Sequence, residues 1–164
     1  KQAAKTMNFL TEHGISSYGE LESKLTALSA WRDTAHAEIK RIESRSAELA
    51  LVMKHAGTYR QLKPLYNRYR KSNDKEKFLR GHESEIILFE AAARELKRLG
   101  AVPLPTTESM KTELANLNAE KERLLAEYKA ARTEAQEYDT VKQNVDTLLA
   151  VPKEQEQQRR HELE

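Results

Sequence analysis

The chain of 164 residues contains no cysteine, which excludes a disulfide framework and a thiolate metal site. Aromatic residues make up only 6% of it, and five glycines and four prolines leave few points at which a helix would break. No apolar run approaches the roughly 18 residues that a membrane-spanning helix needs, and we expect neither a signal peptide nor a membrane span. These absences favour a cytoplasmic location.

Charge, by contrast, is abundant: 33% of the residues are charged and 38% are apolar, a balance typical of long helices exposed to solvent. The formal net charge of +2 conceals an uneven distribution. Residues 54–82 hold nine Lys or Arg residues against two acidic residues, a net of +7. Residues 106–164 hold nine against thirteen, a net of −4. The basic segment is therefore the part of the composition that most needs an explanation.

Apolar residues recur at steps of three and four within residues 17–71, on a narrow stripe with the period of a coiled coil. The stripe consists of Leu21, Leu25, Leu28, Ala35, Ile39, Ile42, Leu49, Met53 and Ala56. Ser17 and Glu20 form a capping box, so the pattern predicts one long helix. Gly57 and Pro64 both disfavour a helix interior, and we expect a kink or break between them.

A second stripe of the same period, in residues 106–151, supplies the partner that the first stripe needs to become buried. It consists of Met110, Leu114, Leu117, Leu124, Tyr128, Ala131, Ala135, Tyr138, Val145 and Leu149, with Lys121 and Lys142 as interruptions. Pro152 is expected to stop or kink this helix. Residues 153–164 are then a polar tail, either a frayed helical extension or a disordered segment.

Two shorter helices complete the prediction, one over residues 1–13 and one over residues 74–99, which Gly81 interrupts. The apolar stripe of the second consists of Ile86, Ile87, Phe89, Ala93, Leu96 and Leu99. We therefore predict an all-α fold: an elongated antiparallel coiled-coil hairpin of two long helices, with a shorter middle helix and a short N-terminal helix. A single domain over residues 1–152 is expected.

The five histidines give no sign of a metal site, because no two of them lie three or four residues apart. Asp33 and His36 are an isolated near miss to the Glu-x-x-His pattern of di-iron proteins. No phosphate-binding loop, dinucleotide fingerprint or nucleophile elbow is present. The sequence thus predicts no catalytic residue, no metal and no cofactor.

One cluster points to binding, because basic and aromatic residues alternate in and after residues 57–64. The candidate nucleic-acid-binding residues are Arg60, Lys63, Tyr66, Arg68, Tyr69, Arg70, Lys71, Lys75, Lys77 and Arg80. Lys and Arg neutralise phosphates with release of counterions, and exposed aromatic rings stack on unpaired bases. The alternative is structural, since Tyr59, Tyr66 and Tyr69 also fit an apolar stripe and the charges would then be a solvated surface.

Three blocks of the sequence together carry a resemblance to a known family. Residues 5–15 read KTMNFLTEHGI, residues 69–93 begin with YRKS and end with HESEIILFEAAA, and residues 104–149 contain EKER, AEYKAAR and NVDTLL. Together they resemble the helical C-terminal region of MobA-type relaxase/mobilization proteins, the DNA-nicking proteins of conjugative and mobilizable elements, particularly those of gut Firmicutes. The resemblance spans nearly the whole chain, and its first two blocks are the more specific.

Relaxases of this kind nick one DNA strand at an origin of transfer, with a tyrosine nucleophile and a metal held by clustered histidines in an N-terminal nuclease domain. This chain has no such histidine cluster, so the resemblance implies a non-catalytic accessory region of a bacterial cytoplasmic protein. The partners that it implies are DNA near an origin of transfer, single-stranded or double-stranded, and relaxosome or coupling proteins. The alternative is a structural spacer or an oligomerisation arm, such as a homodimer, with no nucleic-acid role.

Overall fold

The computed structural model describes residues 1–162, with side chains described for residues 1–150 and 157–162. Four helices make up the regular structure of this range: α1 (Gln2–Glu12), α2 (Tyr18–Lys71), α3 (Lys75–Arg98) and α4 (Thr107–Glu162). The predicted all-α class is confirmed, with long and short helices in the expected order. None of these four helices combines the length and the apolar composition that crossing a membrane requires.

The connection between α1 and α2 follows from its sequence. Gly14 has a φ of 65°, a left-handed conformation that glycine adopts without strain after a helix. The Oγ of Ser17 accepts a hydrogen bond from the Glu20 N–H at 3.2 Å, and the Glu20 carboxylate accepts one from the Ser16 N–H at 2.7 Å. The bond from Ser16 lowers the pKa of Glu20, and the predicted capping of α2 is confirmed, with Ser16 as the backbone donor.

α2 continues through Gly57 and Pro64 as one helix with nearly the predicted bounds of 17–71, so of the predicted kink or break the break is wrong. Proline removes one backbone donor from a helix, but here aromatic contacts on both sides of it compensate. Tyr59 and Tyr66 both stack on Phe89, with ring centroids 4.8 and 4.3 Å away. Because Phe89 is a buried residue of α3, these two contacts hold α2 together across its weakest turn.

α4 extends past its predicted end at residue 151 and reaches Glu162. Of the two alternatives for the polar tail, the structure therefore has the helical extension, as far as residue 162. Glu, Gln, Lys and Arg dominate this stretch and are good helix formers, which favours the extension. Residues 163 and 164, the end of the predicted tail, lie outside the described residues.

α3 contains a kink at the predicted interruption, because His82, directly after Gly81, has non-helical angles of φ −137° and ψ 26°. Its buried residues are Ile86, Phe89, Ala92 and Leu96. One member of the predicted stripe is wrong, since Ile87 is 53% exposed. Ile87 follows Ile86 directly, so its side chain points about 100° further round the helix and leaves the packed face.

The described chain divides into two compact units where the sequence predicted one domain. Unit 1 comprises Lys1–Ile39 and Arg123–Glu164, and unit 2 comprises Lys40–Glu122. α2 and α4 contribute segments to both units, whereas α1 belongs to unit 1 and α3 to unit 2.

In unit 1, α2 and α4 pack antiparallel. The Tyr18 hydroxyl donates a hydrogen bond to Asp146 at 2.7 Å, while His36, later in α2, lies against Tyr128, earlier in α4, with ring centroids 6.4 Å apart. The core consists of Ile15, Leu21, Tyr138 and Val141, against which Phe9, Leu10, Leu25, Leu28 and Val145 pack. Leu149, the last member of the predicted stripe, is 57% exposed and does not join this core.

Unit 2 has the same antiparallel order of α2 and α4. Glu43 pairs with Lys121 at 3.0 Å, and Arg45 pairs with Glu113 at 2.7 Å. The buried residues of this unit include Ile42, Leu49, Val52, Ala56, Ile86, Phe89, Ala92, Leu96, Met110 and Leu117. The predicted antiparallel pairing of the two stripes is therefore confirmed within each unit, and α3 joins the pair in unit 2.

Candidate nucleic-acid interface

The basic segment forms the last turns of α2, a short connection and the first turns of α3, all within unit 2. We call seven of its exposed residues the basic corner: Lys63, Arg68, Arg70, Lys71, Lys75, Lys77 and Arg80. Among the described residues, no carboxylate lies within 4.0 Å of any of these seven cations. Their charges are thus available to an anion from outside the protein.

Six rings form a contiguous row that joins α2 to α3. We call it the aromatic row, and it consists in spatial order of Tyr59, Phe89, Tyr66, Tyr69, Phe78 and His82. Neighbouring ring centroids lie 4.3 to 6.0 Å apart, distances at which aromatic pairs attract one another. Phe89 is buried and the other five rings are half-buried. The row therefore serves as packing that fixes the angle between the two helices.

The aromatic row also orients two cations of the basic corner. The Nζ of Lys63 lies over the Tyr59 ring, 5.5 Å from its centroid. The Cζ of Arg68 lies over the Phe78 ring at 5.6 Å. Cations at this distance are attracted by the negative face of the ring. Both side chains are exposed, so the contact restricts their direction while the charge stays open to solvent.

Arg60 differs from the other predicted site residues, because its guanidinium already has partners in unit 2. Nη1 donates to Thr107 Oγ1 at 2.8 Å, and Nη2 donates to the carbonyl of Pro105 at 2.5 Å. These bonds attach α2 to the segment that begins α4. We therefore assign Arg60 to the support of the site and leave it out of the basic corner.

Residues between the two helices fix the backbone of the basic corner. Asp74 caps α3 by accepting a hydrogen bond from the Lys77 N–H at 3.0 Å, and its own N–H donates to the Ser72 hydroxyl at 3.3 Å. The N–H of Ser72 in turn donates to the carbonyl of Tyr69 at 3.2 Å. The Asp74 carboxylate is thus engaged with backbone and does not pair with a neighbouring lysine.

Helix dipoles explain part of the charge at this corner. Arg68, Arg70 and Lys71 lie in the last turn of α2, where cations complement the negative end of the helix dipole. Lys75 and Lys77 begin α3, where the dipole disfavours a cation by roughly 0.3–1 kcal/mol. The structure offers these two lysines no compensating partner among the described residues, so helix stability does not account for their charge.

The structure places the predicted cations on the end of α2, the start of α3 and the connection between them, and it packs the predicted tyrosines in the aromatic row. Tyr66 and Tyr69 were candidates for stacking on bases, and both are half-buried members of the aromatic row. The residue that organises them, Phe89, was placed only in an apolar stripe by sequence reasoning. Its pairing with Tyr59 and Tyr66 depends on how α3 folds back on α2, and no local spacing reports that.

The described residues contain no group of three His, Cys, Asp or Glu side chains placed to hold a metal ion. Comparisons with models of protein families, with curated proteins and with solved structures each found no match. The resemblance to relaxases thus rests on the three sequence blocks quoted above, and it stays a prediction.

Proposed function

We propose that this chain binds DNA through the basic corner, as a non-catalytic accessory region of a relaxase-like protein of conjugative transfer. The observation that supports DNA contact is the set of seven exposed cations that no described carboxylate neutralises. Nothing in the fold requires Lys75 and Lys77 to be cationic, since both oppose the dipole of α3. The relaxase context comes from the sequence resemblance alone.

Binding of this kind depends strongly on salt, because each phosphate that a cation neutralises releases counterions. With all seven cations engaged, the logarithm of the affinity would fall against the logarithm of salt concentration with a slope of about −6 on duplex DNA. Affinity measured by fluorescence anisotropy at several salt concentrations gives this slope directly. We expect tight binding at low salt that weakens steeply as salt is added.

A charge-reversal variant tests whether the basic corner carries the binding. Changing Lys63, Arg68, Arg70 and Lys71 to Glu should make the salt slope shallower by about 3 to 4, roughly one for each lost phosphate contact. Helical circular dichroism at low temperature should change little, since all four side chains are exposed, but the melting temperature should fall because three of the glutamates oppose the dipole in the last turn of α2. If this variant binds DNA as the unaltered chain does, the proposal is wrong.

The matched control reverses four exposed cations of unit 1. Lys5, Lys24, Lys129 and Arg132 are exposed and change the net charge by the same amount when each becomes Glu. A general effect of net charge would weaken DNA binding equally in both variants. We expect the control to retain most of its affinity and most of its salt slope.

A second candidate function is docking of a protein partner, and two apolar side chains favour it. Ile87 and Leu88 on α3 are 53% and 55% exposed. Adjacent exposed apolar residues are more often a contact surface than solitary ones. Light scattering of the chain and of an Ile87→Glu, Leu88→Glu variant tests this function. A dimer that dissociates in the variant, together with no DNA binding, would favour a structural arm.

A further inference from the structure

The rings of the aromatic row pack against one another. Phe89 lies between Tyr59 and Tyr66, with both interplanar angles at 25°. Phe78 has His82 at 4.6 Å and Tyr69 at 6.0 Å, and the Arg68 guanidinium lies over its face. A base can stack only on a ring face that solvent reaches. In this part of the described structure, such faces are largely covered by protein.

The groups that reach solvent at the basic corner are cationic ends of flexible side chains. Four of the seven are lysines, whose ammonium groups are compact point charges without the planar fork of donors that arginine has. They extend from two helices whose relative position the aromatic row and the Asp74 cap hold in place. This surface is rigid in its backbone, rich in charge and poor in stacking platforms.

Single-stranded and double-stranded DNA bind such a surface through different interactions. Binding of single-stranded nucleic acid commonly combines charge with base stacking, which contributes about 1–3 kcal/mol per base. A duplex keeps its bases stacked on one another and offers about one negative charge per 1.7 Å of axis, against one per 3.4 Å for each strand. A surface with charges but covered rings gains more from the duplex.

We infer that the ligand of the basic corner is duplex DNA, held through its backbone phosphates without recognition of bases. This inference rests on the proposed DNA binding and specifies its form. The sequence left the strand form of the DNA open, whereas the covered rings favour the double strand. Lys63, Arg70, Lys71, Lys75 and Lys77 are the residues that we assign to phosphate contacts.

The test compares four ligands by fluorescence anisotropy at equal phosphate concentration: a short duplex, one of its separated strands, a duplex of shuffled sequence, and a single strand with abasic sites throughout. We expect both duplexes to bind equally and more tightly than the single strand. With the five assigned cations in contact, the salt slope should be about −4.5 on the duplex and about −3.5 on the single strand. The abasic strand should bind as well as the strand with bases.

Two different failures can be told apart. A single strand that binds at least as tightly as the duplex, and loses affinity when its bases are removed, would overturn the inference while leaving DNA binding intact. A marked difference between the two duplexes would overturn it as well, because base readout would then contribute. If all four ligands still bind after Lys63, Arg68, Arg70 and Lys71 are changed to Glu, the proposed function itself is refuted.

Discussion

Glu113 on α4 accepts two hydrogen bonds from the guanidinium of Arg45 on α2, at 2.7 and 3.1 Å. These bonds lower the pKa of the Glu113 carboxyl below its usual 4.5. The folded chain therefore binds this proton more weakly than the unfolded chain does. It follows that the pair stabilises the fold fully above the usual pKa and that this contribution is lost as the pH falls through the lowered pKa.

We expect Glu113→Gln to lower the free energy of unfolding at neutral pH by about 0.5 kcal/mol, a modest effect because both side chains are about 40% exposed. Between neutral pH and pH 3, the variant should lose less stability than the unaltered chain. Urea denaturation at a series of pH values measures both quantities. Glu122→Gln is the control, since Glu122 is exposed and has no ion pair among the described residues. Equal pH dependence in the three proteins would contradict the assignment.

At the residue scale, sequence reasoning works where the determinant is local. The cap built by Ser17 and Glu20 involves residues three apart, and the structure confirms it. The exposure of the cations at the basic corner, by contrast, was left open by the sequence and is seen only in the structure. The hydrogen-bond partners of Arg60 are Pro105 and Thr107, about 45 residues away, and no sequence pattern near Arg60 predicts them. Such a contact is visible only once α4 has been placed against α2.

At the element scale, two glycines have different structural roles that the sequence alone does not distinguish. Gly57 lies inside α2, and a methyl group added there would meet nothing within 4 Å. Gly100 follows α3 with a φ of 69°, a conformation in which other residues are strained. Gly57→Ala should therefore raise the free energy of unfolding by about 1 kcal/mol, and Gly100→Ala should lower it by about 1 kcal/mol.

Thermal or urea unfolding of the two variants checks these opposite signs, and each serves as the control for the other because the chemical change is identical. The DNA affinity of both should equal that of the unaltered chain, since neither glycine belongs to the basic corner. A Gly57→Ala variant that is less stable than the unaltered chain would mean that α2 depends on flexibility at this turn.

Elements were predicted correctly where the apolar period is long: the bounds of α2 were close, whereas the end of α4 was wrong because Pro152 was given too much weight. Local propensity opposes helix at Gly57 and Pro64, yet α2 is continuous because Tyr59 and Tyr66 stack on the same ring of α3. The kink at His82 follows the interruption predicted at Gly81, although Phe78 and Phe89, on either side of it, both contact α2. Contacts with α3 thus support α2 across its breakers, while the α3 backbone still kinks at His82.

At the scale of the whole molecule, charge is divided between the two units. Unit 2 holds 17 Lys or Arg residues against 12 acidic residues, a net of +5, and unit 1 holds 11 against 14, a net of −3. A surface of net positive charge attracts a polyanion and one of net negative charge repels it. DNA should therefore contact unit 2 and leave unit 1 open to solvent.

Lysine footprinting can test this division on the intact chain. An amine-reactive acylating reagent, added with and without duplex DNA at low salt and followed by peptide mass spectrometry, reports the accessibility of each lysine. Lys71, Lys75 and Lys77 should become protected, because phosphates cover ammonium groups that are exposed in the free chain. Lys24 and Lys129, which are exposed in unit 1, should react equally in both samples.

High salt supplies the internal control, since it removes electrostatic binding and should restore the reactivity of every protected lysine. Protection that survives high salt would mean that binding buries apolar surface, which points to Ile87 and Leu88 in place of the cations. Protection confined to unit 1 would place DNA on the acidic unit, and neither the basic corner nor the charge division between the units could then explain binding.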